Sequence, residues 1–264
     1  MPIRLRPAVV SDIGPHRSSN QDAAFTASWG AAVADGVGGG PSGDLASAAL
    51  VHRLVPDPLL VADPEQLLAR IREANWDLGA HVRRDPTLQG MATTFTGIFV
   101  APGDRLLLAH TGDSRAYLLR HAQLERQTRD DSYVQALVDS GLLAPEAAAS
   151  HPRRNIITAS LGGGEEDIVS VAERFPVVGD RWLLCSDGVS DYLDDEEIGL
   201  MLLRHRDVAA AASALVRLAL ESGSRDNVTA VVCDVEEGEA DAAEQAMFAG
   251  SAGELFQEHL DVIA

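Results

Sequence analysis

The chain has 264 residues, 46% of them hydrophobic, and a formal net charge of −19. That length suits one large domain or two small ones, and the charge excludes a broad basic surface for nucleic-acid phosphates. No apolar run approaches the ~20 residues of a membrane span and no secretory leader opens the sequence, so a soluble cytoplasmic protein without membrane insertion is expected.

Residues 3–10 alternate weakly and predict a first strand. Residues 11–22 follow as a polar loop, S-D-I-G-P-H-R-S-S-N-Q-D. In it Arg17 offers a planar fork of donors suited to phosphate, and Asp22 is placed to approach Asp35. Asp35 ends an apolar run, residues 31–34, that reads as a buried strand. The small residues after it let the backbone come close to whatever that acid holds. Gly38-x-Gly40-x-x-Gly43 fits a dinucleotide fingerprint in form, but the acid precedes the glycines instead of following them. A Walker-type loop needs a lysine, and the chain contains none. Asp35 and the Gly36 carbonyl reaching a hard cation, which takes oxygen ligands, is the reading these residues favour.

Residues 42–55 predict a helix. Asp63-Pro64-Glu65-Gln66 starts another, with Asp63 as N-cap, Pro64 at the first helical position and Gln66 closing a capping box. Leu67, Leu68, Ile71, Ala74, Leu78 and Val82 recur at helical spacing and predict core contacts. From Gly90 the period changes. Residues 91–100 and 105–110 predict a hairpin around the turn Pro102-Gly103-Asp104, with further strands at 116–119 and 124–128. Asp113 sits in the tight bend between 105–110 and 116–119.

Residues 130–154 break the sheet pattern. They hold a short helical piece at 133–140, another after Pro145, and the basic cluster His151-Pro152-Arg153-Arg154, and read as an insertion over a site. Strands resume at 168–178 and from Arg181, the latter ending in Cys185-Ser186-Asp187-Gly188 and followed by Asp191. Cys185 and Cys233 lie in apolar runs with no metal or disulfide spacing and predict buried thiols. Helices are expected at 195–203 and 207–221, and Asp226 stands at the entrance of a strand over 228–235. Two runs of strands, each with a helix pair, predict a layered α+β domain. Residues 236–264 carry eight acids and no Arg or Lys, and predict a mobile or loosely docked tail with one or two weak helices.

Seven motifs now stand in order: D-x-G-x-x-R-x-x-N-Q-D, A-D-G-V-G-G, G-x-x-T-T, G-D-S-R-x-Y, H-P-x-R-N, C-S-D-G-V-S-D and R-D-N-V-T. Together, over about residues 4–235, they resemble the metal-dependent serine/threonine protein phosphatases of the type 2C kind in their compact bacterial form. The resemblance implies a four-layer α/β/β/α sandwich of two antiparallel sheets flanked by helix pairs. It implies a catalytic domain over residues 1–236, a flap at about 130–155 and an acidic tail over 237–264.

It also implies hydrolysis of phosphoserine and phosphothreonine in proteins by a water activated at a binuclear Mn²⁺ or Mg²⁺ centre. Asp35 would bridge the two ions, Gly36 would offer its carbonyl, and Asp187 and Asp226 would complete the ligands. Asp22 and Gln21 would stand behind them, Asp113 and Asp191 would hold a third metal, and Arg17 would bind the substrate phosphate. Asp131, His151, Arg153 and Arg154 would belong to the substrate flap. The implied partners are phosphoproteins and a cognate serine/threonine kinase system, with the enzyme a monomer. The rival readings are a non-catalytic phosphoprotein-binding module of the same fold and a hydrolase of small phosphoesters.

Three residues depart from the family pattern. Gln21 replaces a frequent Glu, which predicts weaker metal affinity. Val37 stands where eukaryotic members have a His proposed as general acid and bacterial ones often have Met. Asp131 stands where many bacterial relatives have His.

Overall fold

A computed structural model describes residues 1–37, 42–55 and 61–255. Two antiparallel sheets form its centre. One runs in the order β1 (Ile3–Asp12), β11 (Val228–Glu237), β10 (Arg181–Cys185), β7 (Arg115–Arg120), β8 (Gln123–Arg126). The other runs β12 (Met247–Gly250), β2 (Asp22–Ala27), β3 (Gly30–Val37), β5 (Phe95–Ala101), β6 (Arg105–Thr111), β9 (Ser170–Arg174), with the short β4 (Ala92–Thr93) paired to β3.

The side-chain period of two sorts each central strand between two cores. In β3, Ala31 and Val33 face the other sheet and share a core with Ile98 of the neighbouring β5 and with Leu5, Trp182 and Val231 from across. Ala32 and Ala34 point the other way, into a core shared with α1 (Gly43–Leu54) and α2 (Pro64–Arg84). In β10, Trp182 and Leu184 face inward, while Leu183 and Cys185 pack beneath α6 (Asp195–Arg204) and α7 (Val208–Glu221). Both faces of these strands are therefore buried, which is why they read as continuous apolar runs. The result is the expected four-layer α/β/β/α sandwich, with both cysteines buried as free thiols. Short helices α3 (Tyr133–Asp139), α4 (Pro145–Ala148), α5 (Asp187–Ser190) and α8 (Ser251–Leu255) complete it. No helix among the described residues is long and apolar enough to cross a membrane.

Several local expectations are corrected. β3 does not stop at Asp35, because Gly36 and Val37 pair with Thr93 and Ala92. β2 has no counterpart in the sequence reading: its D-A-A-F-T-A is alanine-rich and lacks the β-branched signal. The strand expected at 168–178 is confined to Ser170–Arg174. Asp63 caps α2 by accepting from the Gln66 N–H at 2.9 Å, but the Gln66 side chain accepts from Ala62 instead of closing the box. The loosely docked tail does not hold for residues 247–255. There β12 pairs with β2, α8 packs on α1, and the Phe248 ring stacks on His52 at 4.0 Å. Pairing with β12 removes what would otherwise be an open sheet edge. Gly38, Gly40 and residues 256–264 lie outside the described residues.

Candidate active site

The acids that interrupt the apolar runs gather at one end of the sandwich. Asp22 opens β2 and stands directly opposite Asp35 in β3. Asp22 belongs to one sheet and is held by the other. Its Oδ2 accepts from Ser186 Oγ, just after β10, and from Thr229 Oγ1 of β11, both at 2.7 Å. Burial pushes the Asp22 carboxyl up to about 6, against the pull of those two hydroxyls. Asp35 is fixed through its backbone. Its N–H donates to Thr94 Oγ1 at 3.0 Å, and its carbonyl accepts from the Thr94 N–H at 2.8 Å and from Thr93 Oγ1 at 3.0 Å. Desolvation, then the charges of Asp22, Asp187, Asp113 and Asp226, hold the Asp35 carboxyl well above the usual carboxylate range.

Asp187 begins α5. It is raised in the same way, by desolvation and then by Asp113, Asp226 and Asp191. Asp226 precedes β11, and its Oδ2 accepts from Arg17 Nη2 at 2.6 Å. Burial works against the Arg17 charge, but Asp226, Asp35 and Asp187 together keep it on. A second group lies alongside. Asp113 follows Gly112, whose φ of 99° suits glycine, and its carboxyl is pushed up to about 7 by burial, Asp130 and Asp191. Asp191 closes α5 and pairs with Arg154 Nε at 3.4 Å.

Gly36 admits no other residue. A Cβ there would stand 2.3 Å from the Gly43 carbonyl oxygen and 2.8 Å from that of Gln21. Reciprocally, a Cβ on Gly43 would stand 2.9 Å from the Gly36 carbonyl oxygen, so two glycines clear the space around that carbonyl. Asp22 Oδ1 and Asp187 Oδ1 are buried without hydrogen-bond partners. Crowded carboxylates that raise one another's pKa, orphaned carboxylate oxygens and a cleared carbonyl are the donor set a hard divalent cation takes. Among the described residues, no three His, Cys, Asp or Glu side chains form a ligand cluster by themselves. Asp226 instead lies on Arg17.

The flap residues divide. Arg154 alone reaches the acids, through Asp191. Asp131 turns inward: its Oδ2 accepts from the Gly112 N–H at 3.0 Å and its own N–H donates to the Gly112 carbonyl at 2.7 Å. It therefore holds the turn that presents Asp113. His151 Nδ1 accepts from the Arg153 N–H, and the Arg153 guanidinium lies 5.7 Å from the Tyr133 ring centre. Gln21 contributes backbone, accepting from the Gly36 N–H at 3.1 Å and from Ser47 Oγ at 2.6 Å. Val37 is half-buried beside β4.

Sequence reasoning missed the residues that brace these acids. Asn227 is 2% exposed, and its side-chain amide donates to the Ile13 and Ser19 carbonyls and accepts from the Gln21 N–H. It ties the loop of Arg17 to the strand entrance of Asp226. Its signal was its place beside Asp226 in R-D-N-V-T. Ser186 and Thr229 carried a like signal, standing beside Asp187 in C-S-D-G-V-S-D and in R-D-N-V-T. Asp130, buried between Arg115 and Arg126, carried none.

No family model matches the chain. It is 45% identical over 238 residues to the serine/threonine protein phosphatase PstP of Mycobacterium tuberculosis, covering 88% of this chain and 45% of that protein. The chain thus spans less than half the length of that relative. It is 33% identical over 211 residues to the serine/threonine phosphatase stp of Listeria monocytogenes, covering 76% of this chain and 82% of the relative. Among solved structures, the catalytic domain of PstP in complex with two manganese ions superposes with a TM-score of 0.82 at 41% identity, over 89% of this chain and all of that one.

Proposed function

This chain belongs to the bacterial type 2C family of serine/threonine protein phosphatases, and from that premise we propose that it hydrolyses phosphoserine and phosphothreonine in proteins. The observation that carries the reading is Asp35, which stands directly opposite Asp22 and feels the charges of Asp187, Asp113 and Asp226. Asp35, the Gly36 carbonyl, Asp187 and Asp226 would hold two Mn²⁺ or Mg²⁺ ions, and Asp113 and Asp191 a third. When bound, such ions would lower the pKa of a water and draw charge from the phosphoryl oxygens.

The chain's own residues do the rest. Thr93 and Thr94 fix the Asp35 backbone, while Ser186 and Thr229 orient Asp22 behind it. Arg17, 43% exposed at the rim, meets the phosphate from the solvent side with donors in a planar fork. Asn227 keeps that loop in register with Asp226. Neither cysteine is an alternative nucleophile, because burial pushes the Cys185 thiol up to about 12 and the Cys233 thiol higher still. The full set of acids argues against a purely binding role. The enzyme acts as a cytoplasmic monomer on phosphoproteins supplied by a serine/threonine kinase system.

The test is phosphopeptide hydrolysis in metal-stripped protein with manganese or magnesium added back. Activity that EDTA abolishes and either ion restores is the expected result. Full activity without metal would overturn the reading.

A further inference from the structure

Two guanidiniums have settled on acids of the site, Arg17 on Asp226 at 2.6 Å and Arg154 on Asp191 at 3.4 Å. Two more line the same recess as Asp113 and Asp191, Arg115 at the start of β7 and Arg126 at the end of β8. Neither has settled on those acids. Both lie on Asp130 instead. Among the described residues Asp113 makes no ion pair, although Arg115 stands two residues further along the chain.

The geometry at Asp130 accounts for this. Its side chain is 9% exposed. Arg115 Nε donates to its two oxygens at 3.1 and 3.2 Å, Arg115 Nη2 donates at 2.8 Å, and Arg126 Nη2 pairs with its Oδ1. One carboxylate thus holds two cations. The sharing is incomplete, because Arg126 Nε is buried without a partner. Arg115 Nη1 also donates to the Ser190 carbonyl at 3.3 Å, one residue before Asp191. These charges reach the site: after burial, Asp130 does most to raise the Asp113 carboxyl, while Arg115 lowers it. A partly buried guanidinium that loses its carboxylate is strongly disfavoured. Without Asp130, Arg115 would have an unpaired carboxyl in the same recess to turn to, that of Asp113.

We propose that Asp130 is a positioning residue: by engaging both guanidiniums it keeps them off Asp113 and leaves that carboxyl open to a divalent cation. This assignment rests on the reading of Asp113 and Asp191 as ligands of a third ion. It adds the residue that decides whether the chain's own cation or a metal occupies Asp113.

The experiment compares Asp130→Asn with the double variant Asp130→Asn/Arg115→Gln in the whole chain, with manganese alone as the probe. In crystals of the metal-free single variant, Arg115 should stand within hydrogen-bond distance of Asp113. Titration calorimetry should show one manganese ion bound about 10–100-fold more weakly, the scale seen when the supports of metal ligands are disturbed. The double variant has no Arg115 guanidinium to fall on Asp113 and should recover most of that affinity. A merely structural role for Asp130 predicts that it binds no better than the single variant. Arg126→Gln, at a more exposed position, leaves Asp130 wholly to Arg115 and should bind the same ion about two- to threefold more tightly. Arg115 still clear of Asp113 in the single variant, no recovery in the double one, or weaker binding in Arg126→Gln overturns the assignment. Phosphopeptide hydrolysis by the unaltered chain in manganese is measured in parallel. Its absence would count against the phosphatase reading, while the position of Arg115 still decides the role of Asp130.

Discussion

Asp22 and Asp35 face each other directly across the β2–β3 pair. Like charges in that relationship destabilise a sheet, and both carboxyls are raised by desolvation and by their neighbours. The site is therefore a strained part of an otherwise well-packed sandwich. Asp35→Asn should raise the melting temperature of the metal-free protein by about 2–4 °C, the equivalent of about 1 kcal/mol, while removing nearly all activity. In manganese the order should reverse, because only the wild-type chain gains binding free energy. Scanning calorimetry with and without metal checks this, and an unchanged or lower metal-free melting temperature would show that the pair is not strained.

Gly36→Ala tests the cleared carbonyl without touching an acid. The added methyl would meet backbone atoms of Gly43 and Gln21, so the β3 backbone has to move. Manganese affinity should fall about 10–100-fold, the scale seen when the supports of metal ligands are disturbed. Titration calorimetry gives the number. Unaltered affinity would exclude the Gly36 carbonyl from the ligand set.

Arg17→Ala separates phosphate binding from metal binding. Removing a charged donor from a phosphate should raise KM more than it lowers kcat, with an overall loss of about 10–100-fold in kcat/KM. Manganese affinity should not fall, because the Asp226 Oδ2 that now accepts from Arg17 is released. A phosphopeptide KM equal to the wild-type value would take Arg17 out of the phosphate site.

Val37 has no proton to offer a departing serine or threonine oxygen, whereas the phenolate of p-nitrophenyl phosphate leaves without one. General acid assistance contributes about 10²–10⁴-fold where it is present. Val37→His should therefore speed phosphothreonine-peptide turnover selectively and leave the aryl ester nearly unchanged. Parallel changes on both substrates, or none, would mean that residue 37 only packs against β4.

The site was more legible in the sequence than the sheet edges were. Asp35 and Asp187 follow apolar runs and Asp226 precedes one, so each acid stands out against the apolar stretch beside it. Asp22 could be paired with Asp35 as a motif residue, but β2 itself was hidden by its alanines. β12 was hidden by an acidic neighbourhood that suggests disorder, and its four residues become a strand only because β2 needs a neighbour. The inward turn of Asp131 depends on the distant Gly112 N–H, and no local pattern announces such a contact. Asn227 and Thr229 are polar because they brace the loop and Asp22, a reason that appears only once both sheets are assembled.

The pairing of β12 with β2 also bears on the order in which this chain is made. Gly250, at a φ of 64°, lies so close to the Asp22 carbonyl that a Cβ there would stand 2.1 Å from it, and Ser251 Oγ donates to that same oxygen at 3.0 Å. During synthesis every acid of the site leaves the ribosome before the segment that closes over the Asp22 backbone. Until residue 251 emerges, β2 is an exposed edge able to pair with another nascent chain. A released chain truncated at residue 240 should accordingly be more sensitive to protease between residues 20 and 30 than the 264-residue chain is. Equal protection of the two would mean that β2 and β3 close without β12.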